Sequence, residues 1–179
     1  MASWNDGWAQ QRSLHIFSDI DQNMVGGTIQ QLYGLAALSS EPVTLFINSN
    51  GGEVLHAFAL IEMVQCCPAP VRAVALGRVF SAALLIYMSV GERLALKNTL
   101  FMAHDFTTGN SSYTKAQHQG EWLRKRIIAL YRTHTKLSDS TMIEHAFLTD
   151  DFFFDEQEAL GYGIVDSIID TLPVIPFKT

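Results

Sequence analysis

The fold is decided by residues 43–65, VTLFINSNGGEVLHAFALIEMVQ. The first five residues are an apolar, β-branched run that predicts a buried strand. Residues 48–52 predict a turn, with Gly51 and Gly52 where the backbone must bend sharply or be approached closely. Residues 53–65 predict a helix, because their apolar side chains fall mostly on one broad face. The segment is therefore a strand, a tight turn and a helix.

Strands and helices alternate on both sides of this segment. Further strands are predicted at 14–17, 71–76, 94–96, 100–103 and 164–169, with turns at 77–81 and 97–98. Further helices are predicted at 24–38, 82–88, 113–135 and 137–147, and a last one begins with the capping residues Asp155 and Glu158 and ends at Gly161. The alternation predicts the α/β class. We expect one domain over residues 1–179, with a short N-terminal arm at 1–12.

Composition excludes several classes of protein. The chain has 179 residues, 48% apolar and 17% charged, and 18 acids against 12 bases give a net charge of −6. Disorder and nucleic-acid binding are disfavoured by these values. The longest uncharged apolar stretch, residues 79–91, is shorter than the roughly 20 residues that cross a membrane. Few charges and a large apolar fraction favour a homo-oligomer. The adjacent Cys66 and Cys67 are expected to be mostly buried thiols in a reducing cytoplasm, and they do not form a zinc site.

Two turns precede predicted helices and carry candidate functional groups. Ser81 stands before a helix that is apolar all round, where backbone N–H groups and the helix dipole favour negative charge. Taken alone, Ser81 is more simply interpreted as an ordinary helix cap, because serine is a favoured N-cap residue. Gly51-Gly52 has the same placement, and it is either a plain tight turn or half of an oxyanion hole.

Two further segments carry a histidine and a pair of carboxylates. His104 ends the predicted strand at 100–103, and it is either a base or a buried structural residue. Asp150 and Asp151 precede three phenylalanines, so one carboxylate is expected to be partly buried and able to orient an imidazole. The alternative for this pair is a turn or a helix cap.

Four segments together carry a resemblance to a known family. They are Ile47-Asn48-Ser49-x-Gly51-Gly52; Gly77-x-x-x-Ser81-Ala82-Ala83; Asn98 followed by Phe101-Met102-Ala103-His104; and Asp151-x-Phe153 with Glu158-Ala159-Leu160-x-Tyr162-Gly163-Ile164-Val165-Asp166. In this order and near these spacings they resemble the proteolytic subunit of the Clp protease, ClpP. The resemblance implies a ClpP/crotonase-like spiral of β-β-α units with a protruding handle helix at about 105–135. It also implies a hollow assembly of two stacked seven-membered rings.

The resemblance further implies a serine endopeptidase that cleaves peptides or unfolded polypeptides inside the chamber. Ser81 matches the family's nucleophile, His104 its general base and Asp151 its triad acid. The oxyanion donors fall on the backbone N–H groups of Gly52 and Ala82, and the substrate strand lies beside Gly51, Asp105 and Phe106. No cofactor or metal is implied, and ATP is used by a AAA+ unfoldase partner.

The chain departs from the family pattern in ways that keep alternatives open. The N-terminal arm is shorter than the gating segment of the usual family member, which is typical of a virus-encoded or accessory member. The difference affects the part of the family's subunits that gates the chamber and docks to an unfoldase. Asp105 replaces the usual residue after the histidine, and Asp150 stands where the family often has arginine. The alternatives are a catalytically weak or structural ring subunit, an acyl-CoA enzyme of the crotonase fold, and a Ser–Lys peptidase using Lys97.

Overall fold

A computed structural model describes residues 12–105 and 113–172, with the backbone alone at 113–117 and 145–146. Strands and helices alternate in these ranges, which confirms the predicted α/β class. The strands are β1 (Ser13–Ile16), β2 (Val43–Ser49), β3 (Val71–Phe80), β4 (Glu92–Leu96), β5 (Leu100–Ala103), β6 (Phe152–Asp155) and β7 (Ser167–Ile169). The helices are α1 (Gln22–Leu38), α2 (Val54–Gln65), α3 (Ala82–Met88), α4 (Tyr113–His134), α5 (Ser140–Phe147) and α6 (Glu156–Tyr162).

One mostly parallel sheet organises the described residues. Its main strand order is β1-β2-β3-β4-β7, and the pairs on this path are parallel. β3 changes its partner along its length: residues 72–75 pair with β4, whereas residues 78–80 pair with β5. Gly77, with a φ of +67°, lies at the change. β5 also pairs antiparallel with β6, which brings a late segment of the chain to the end of β3.

The apolar residues of the sheet divide between its two faces, because successive side chains of a strand point in opposite directions. Leu45 and Ile47 belong to the main core, which the helices cover. Phe46, Val74 and Leu94 form a smaller cluster of their own. Every residue of α3 is buried, as its uniformly apolar sequence predicts. A helix fully enclosed in this way fixes its own N-terminus firmly against the end of β3.

The end of α6 differs from its prediction. The helix runs past Gly161 and ends at Gly163, which has a φ of +71° and donates its amide to the Leu160 carbonyl at 3.1 Å. The next two amides, of Ile164 and Val165, donate to the Ala159 carbonyl at 2.9 and 3.2 Å. These bonds complete the helix end and leave residues 164 and 165 outside the last strand. The predicted strand at 164–169 is therefore shortened to β7.

The two cysteines lie where α2 ends. Both are free thiols; Cys66 is exposed and Cys67 is half-buried, so the prediction of mostly buried thiols is wrong for Cys66. Cys66 caps the C-terminus of α2, where the chain leaves the packed face of the helix. In the described ranges no group of three or more His, Cys, Asp or Glu residues could hold a metal ion. No helix in these ranges is both long enough and apolar enough to cross a membrane.

Candidate active site

Ser81 occupies the junction between β3 and α3 in a backbone conformation that serine rarely adopts. Its φ is +54° and its ψ is −124°. The residue stands at the N-cap position of α3, but its side chain makes no capping hydrogen bond. The hydroxyl instead lies 2.7 Å from His104 Nε2. The Ser81 amide donates to the Met102 carbonyl at 2.8 Å, which ties the turn to β5. The simple helix-cap interpretation of Ser81 is therefore wrong.

His104 follows β5 directly and is oriented through both ring nitrogens. Phe101 and Ala103 of β5 are buried, so the strand that carries His104 is anchored in the core. Nε2 faces the Ser81 hydroxyl, and Nδ1 lies 3.4 Å from Asp151 Oδ1. The contact with Asp151 is longer than a strong hydrogen bond, as is common before a substrate tightens a site. The imidazole thus stands between a hydroxyl and a carboxylate.

Asp151 reaches His104 because β5 and β6 run antiparallel. Ala103 pairs with Phe152, so the residue after β5 lies across from the residue before β6. Phe101 of β5 stacks on Phe154 of β6 with ring centroids 5.6 Å apart, which holds the two strands together from the core side. The Asp151 side chain is 60% exposed. The predicted partial burial of this carboxylate is therefore wrong, because Asp151 stands just outside the strand whose phenylalanines enter the core.

The Gly51-Gly52 turn packs against the backbone of Ser81. Gly51 has a φ of +96°, and a Cβ atom there would lie 2.7 Å from the Phe80 carbonyl oxygen and 2.8 Å from the Ser81 Cβ atom. Gly52 has a φ of +149°, and a Cβ atom there would lie 2.6 Å from the Ile20 carbonyl oxygen. Both positions therefore require glycine, for the conformation as well as for the space.

The segment before α1 supports this turn from behind. The Ile20 amide donates to the Gly51 carbonyl at 2.8 Å, and the Glu53 amide donates to the Ile20 carbonyl at 2.9 Å. Ser49 donates its hydroxyl to the Ser18 carbonyl at 2.6 Å and accepts from the Gly51 amide at 3.1 Å. Sequence reasoning missed Ile20. The only local signal was an apolar residue among the polar residues 18–21, and that signal does not show which turn Ile20 supports.

The predicted oxyanion donors are the backbone amides of Gly52 and Ala82. The Ile20 bridge uses the Gly51 carbonyl and the Glu53 amide, so it does not occupy the Gly52 amide. Ala82 is the first residue of α3, where an amide has no acceptor within its own helix. An ideal Cβ atom on Gly51 would lie 3.0 Å from the Ala82 nitrogen, so the glycine turn and the start of α3 are in contact. This arrangement can stabilise a negative charge next to Ser81.

A narrow cavity of about 20 Å³ opens beside Ser81 and His104. Its walls are mostly apolar and come from α2, α3, α4, β5 and the residue after α5: Val54, Ala82, Leu85, Ala103, Ile127, Tyr131 and Leu148. Burial raises the pKa of the Tyr131 phenol well above its ordinary value, so the phenol stays neutral. In the sequence, the signal for the part of the cavity wall that α4 supplies was the helical spacing of the apolar residues Ile127 and Tyr131. That spacing predicts a packed helix face and does not by itself predict a cavity.

The remaining candidate residues are placed as follows. The Asp105 carboxylate accepts from Arg124 Nη2 at 3.0 and 2.8 Å, and the Asp105 amide donates to the Thr149 carbonyl at 3.2 Å. Phe106 lies outside the described residues. The partner of Lys97 is Asp170, with which it forms an ion pair at 2.6 Å. The partner of the Ser81 hydroxyl is His104. The structure thus brings together serine, histidine and aspartate, and it gives no support to a serine–lysine pair.

Comparison with known proteins agrees with this arrangement. The family model described as Clp protease matches residues 4–172. The ATP-dependent Clp protease proteolytic subunit of Deinococcus radiodurans is 27% identical, over 90% of this chain and 81% of that protein. Subunit 3 of Rhizobium meliloti is 29% identical, over 93% of this chain and 87% of that protein. The solved structure of ClpP1 from Listeria monocytogenes is 29% identical with a TM-score of 0.83, over 94% of this chain and 96% of that chain. Since the family model spans nearly the whole sequence, the chain belongs to the Clp protease family.

Proposed function

We propose that Ser81, His104 and Asp151 form the catalytic triad of this chain. Membership of the Clp protease family makes the chain a serine peptidase that works in an oligomeric chamber. The observation that carries the residue assignment is the position of the His104 ring, with Nε2 at 2.7 Å from the Ser81 hydroxyl and Nδ1 facing Asp151. A nucleophile beside a base that is itself oriented by a carboxylate is the arrangement that acyl transfer requires.

In the proposed mechanism, His104 Nε2 takes the proton as Ser81 Oγ attacks the peptide carbonyl carbon. The tetrahedral intermediate places its oxyanion near the amides of Gly52 and Ala82, where each donor is worth about 10²–10³ in rate. His104 then gives the proton to the leaving amine, and a water activated by the same imidazole releases the acyl group. Asp151 holds the Nδ1–H tautomer and stabilises the imidazolium.

The site also limits which peptides fit. We propose that the cavity beside Ser81 receives the side chain before the cleaved bond, and that its apolar walls and narrow width favour a small apolar residue. The substrate strand is proposed to lie beside Gly51 and the segment after His104, including Asp105 and Phe106. The Asp105 side chain and amide are both hydrogen-bonded within the chain. We therefore expect Asp105 to contact the substrate strand through its backbone carbonyl.

The Clp protease family forms oligomeric chambers and works with Clp ATPases. For this chain we propose two stacked rings of seven, a AAA+ unfoldase as the ATP-consuming partner, and a peptidase domain that spans residues 1–179. We also propose a cytoplasmic location, in keeping with the two free thiols at the end of α2.

The assignment is tested by labelling the protein with a fluorophosphonate and by measuring cleavage of a fluorogenic peptide. Wild-type protein should be labelled at Ser81 and should cleave the peptide. Ser81→Ala should lose both activities without loss of fold, because alanine keeps the Cβ atom and the same backbone constraint. A chain that is folded and assembled but unlabelled would instead be a structural ring subunit, and the proposed function would be wrong.

A further inference from the structure

We propose that the ion pair between Asp105 and Arg124 positions His104, so that the placement of helix α4 sets the reactivity of Ser81. The proposal rests on the serine-peptidase function proposed above, because His104 is the base of that reaction. Asp105 and Arg124 act through His104 and are therefore positioning residues.

Asp105 connects three separate parts of the molecule. It directly follows His104, so its backbone continues the segment that carries the base. Its amide donates to the Thr149 carbonyl at 3.2 Å, two residues before Asp151. Its carboxylate accepts from Arg124 Nη2 of α4 at 3.0 and 2.8 Å. A displacement of α4 is therefore transmitted to the segments that bear both the base and the acid.

Arg124 is anchored well enough to transmit such a displacement. Ile127 and Tyr131 follow it at helical spacings of three and seven residues, so all three share one side of α4. Both are buried, and both line the cavity beside Ser81 and His104. The Arg124 and Asp105 side chains are 35% and 39% exposed, so water screens the pair in part. For such a pair we expect little effect on stability and a much larger effect on rate.

The pair also places two charges on and against the residue that directly follows His104. Asp151 faces His104 Nδ1, and Tyr131 of α4, which stays neutral, lines the same cavity as His104. Asp105 follows His104 in the chain and pairs with Arg124 of α4, and Asp150 precedes Asp151. Removing the Arg124 charge takes a positive charge away from the neighbourhood of the imidazole, which favours the protonated imidazole. Removing the Asp105 charge takes a negative charge away from the neighbourhood of the imidazole, which favours the neutral imidazole. The two single variants should therefore shift the pH dependence of the reaction in opposite directions.

The experiment measures fluorophosphonate labelling of Ser81 across pH on the assembled full-length chain, with kcat and KM for a fluorogenic peptide. Arg124→Gln should slow labelling about tenfold or more, since small misplacements of catalytic groups are costly. It should lower kcat rather than raise KM, and it should move the acid limb of the profile up by about half a pH unit. Asp105→Asn should also slow labelling but should move the acid limb down. The matched control is Lys125→Gln, at an exposed position on the same helix, which should neither slow labelling nor move the acid limb.

The charge-swapped variant, Asp105→Arg with Arg124→Asp, separates positioning from a loss of packing. It restores the tie between α4 and the base, so most of the labelling rate should return. Wild-type behaviour of Arg124→Gln would overturn the proposal. The proposal would also be overturned if Arg124→Gln slowed labelling but left the acid limb of the pH profile in place, and the charge-swapped variant did not recover the labelling rate. This holds whatever the unfolding temperatures of the variants are. If wild-type Ser81 does not react at all, the proposed function fails; if it reacts and the pair has no effect, this inference alone fails.

Discussion

At the scale of single residues, the site depends more on backbone placement than on rare side chains. Ser81 is held by its amide bond to Met102 and by the close approach of Gly51, and His104 is held by the strand that ends one residue earlier. The proposed oxyanion donors are backbone amides, which no side-chain substitution other than proline can remove. Changes that move the backbone should therefore damage the reaction as severely as changes of the triad.

Asp151→Asn should lower the rate of peptide cleavage by up to about 10⁴-fold, because an amide no longer holds the correct imidazole tautomer. Asp150→Asn is the matched control, since it removes the same charge from the neighbouring exposed position. Steady-state kinetics of the two variants at one pH measure the difference. A greater loss in Asp150→Asn would show that the acid is assigned one residue too late.

Gly51→Ala should lower kcat/KM strongly, because the new methyl group would meet the Phe80 carbonyl and the Ser81 Cβ atom at 2.7 and 2.8 Å. The positive φ adds to the strain of any side chain at this position. The control is Gly34→Ala in the interior of α1, where nothing lies within 4 Å of the added atom. That control should keep its activity and gain about 0.5–1 kcal/mol in stability, as measured by denaturant unfolding. Equal activity in the two variants would contradict the proposed contact with Ser81.

At the scale of elements, the change of partner along β3 is what assembles the site. The first half of β3 continues the parallel sheet, and the second half meets β5, which in turn meets β6. Ser81, His104 and Asp151 are the residues that follow β3, follow β5 and precede β6. The three functional groups therefore come together through the pairing of three strands.

Phe154→Ala should destabilise the fold by about 3–5 kcal/mol, as expected for a large buried side chain. Phe154 is 1% exposed and stacks on Phe101, so its loss also loosens the pairing that places Asp151. Phe153→Ala is the control on the same strand: Phe153 is 50% exposed and has only an edge contact with Phe80. Phe153→Ala should lower the free energy of unfolding by about 1 kcal/mol or less. Similar denaturation midpoints for the two variants would rule out the stacked pair as the support of Asp151.

Local pattern predicts most of the elements. Helix periodicity predicted α2 and a uniformly apolar sequence predicted α3, each to within one residue, and the capping box at Asp155 and Glu158 begins α6 as expected. The strand at 71–76 was predicted too short, since residues 77–81 have the composition of a turn. They continue as strand to Phe80 because β5, about twenty residues further along, supplies their hydrogen bonds.

Local pattern predicts the site only as separate segments. Each of the four candidate segments has an ordinary structural interpretation, and only the resemblance to a family indicated that they meet. The exposure of Asp151 and the contact between Asp105 and Arg124 could not be predicted, because both depend on how distant elements are placed. The catalytic roles of the three residues remain a prediction that kinetics must test.

At the scale of the whole molecule, helix α4 has one side that faces the active-site cavity and another that is exposed. Its inner side lines the cavity beside Ser81, and its outer side presents Trp122, which is 46% exposed. The Trp122 ring touches Phe58 edge-on at 5.8 Å, and the Arg126 guanidinium lies 5.4 Å from the ring centre. A large apolar side chain left in this position fits a contact between subunits. Ile128, by contrast, is half-buried against the core, so a charge there would disturb the fold as well as any interface.

Trp122→Glu should convert the proposed double rings into single rings and reduce activity with Ser81 unchanged. Fourteen chains of 19.9 kDa give about 279 kDa for the wild type, and native mass measurement should find half of this value for the variant. Lys125→Gln, which changes the net charge by the same amount at a neighbouring exposed position, should keep the wild-type mass. An active single ring in the wild type would contradict the double ring, and a fully active monomer would contradict assembly altogether.

The backbone of Ser81 has a consequence for how this chain keeps its chemistry. Glycine adopts a φ of +54° without cost, whereas any residue with a Cβ atom is held there at about 1–3 kcal/mol. If the chain served only as a spacer in a ring, glycine at position 81 would be the more stable choice. Serine at position 81 therefore costs stability that glycine would not, and the proposed role as nucleophile is what the hydroxyl provides in return.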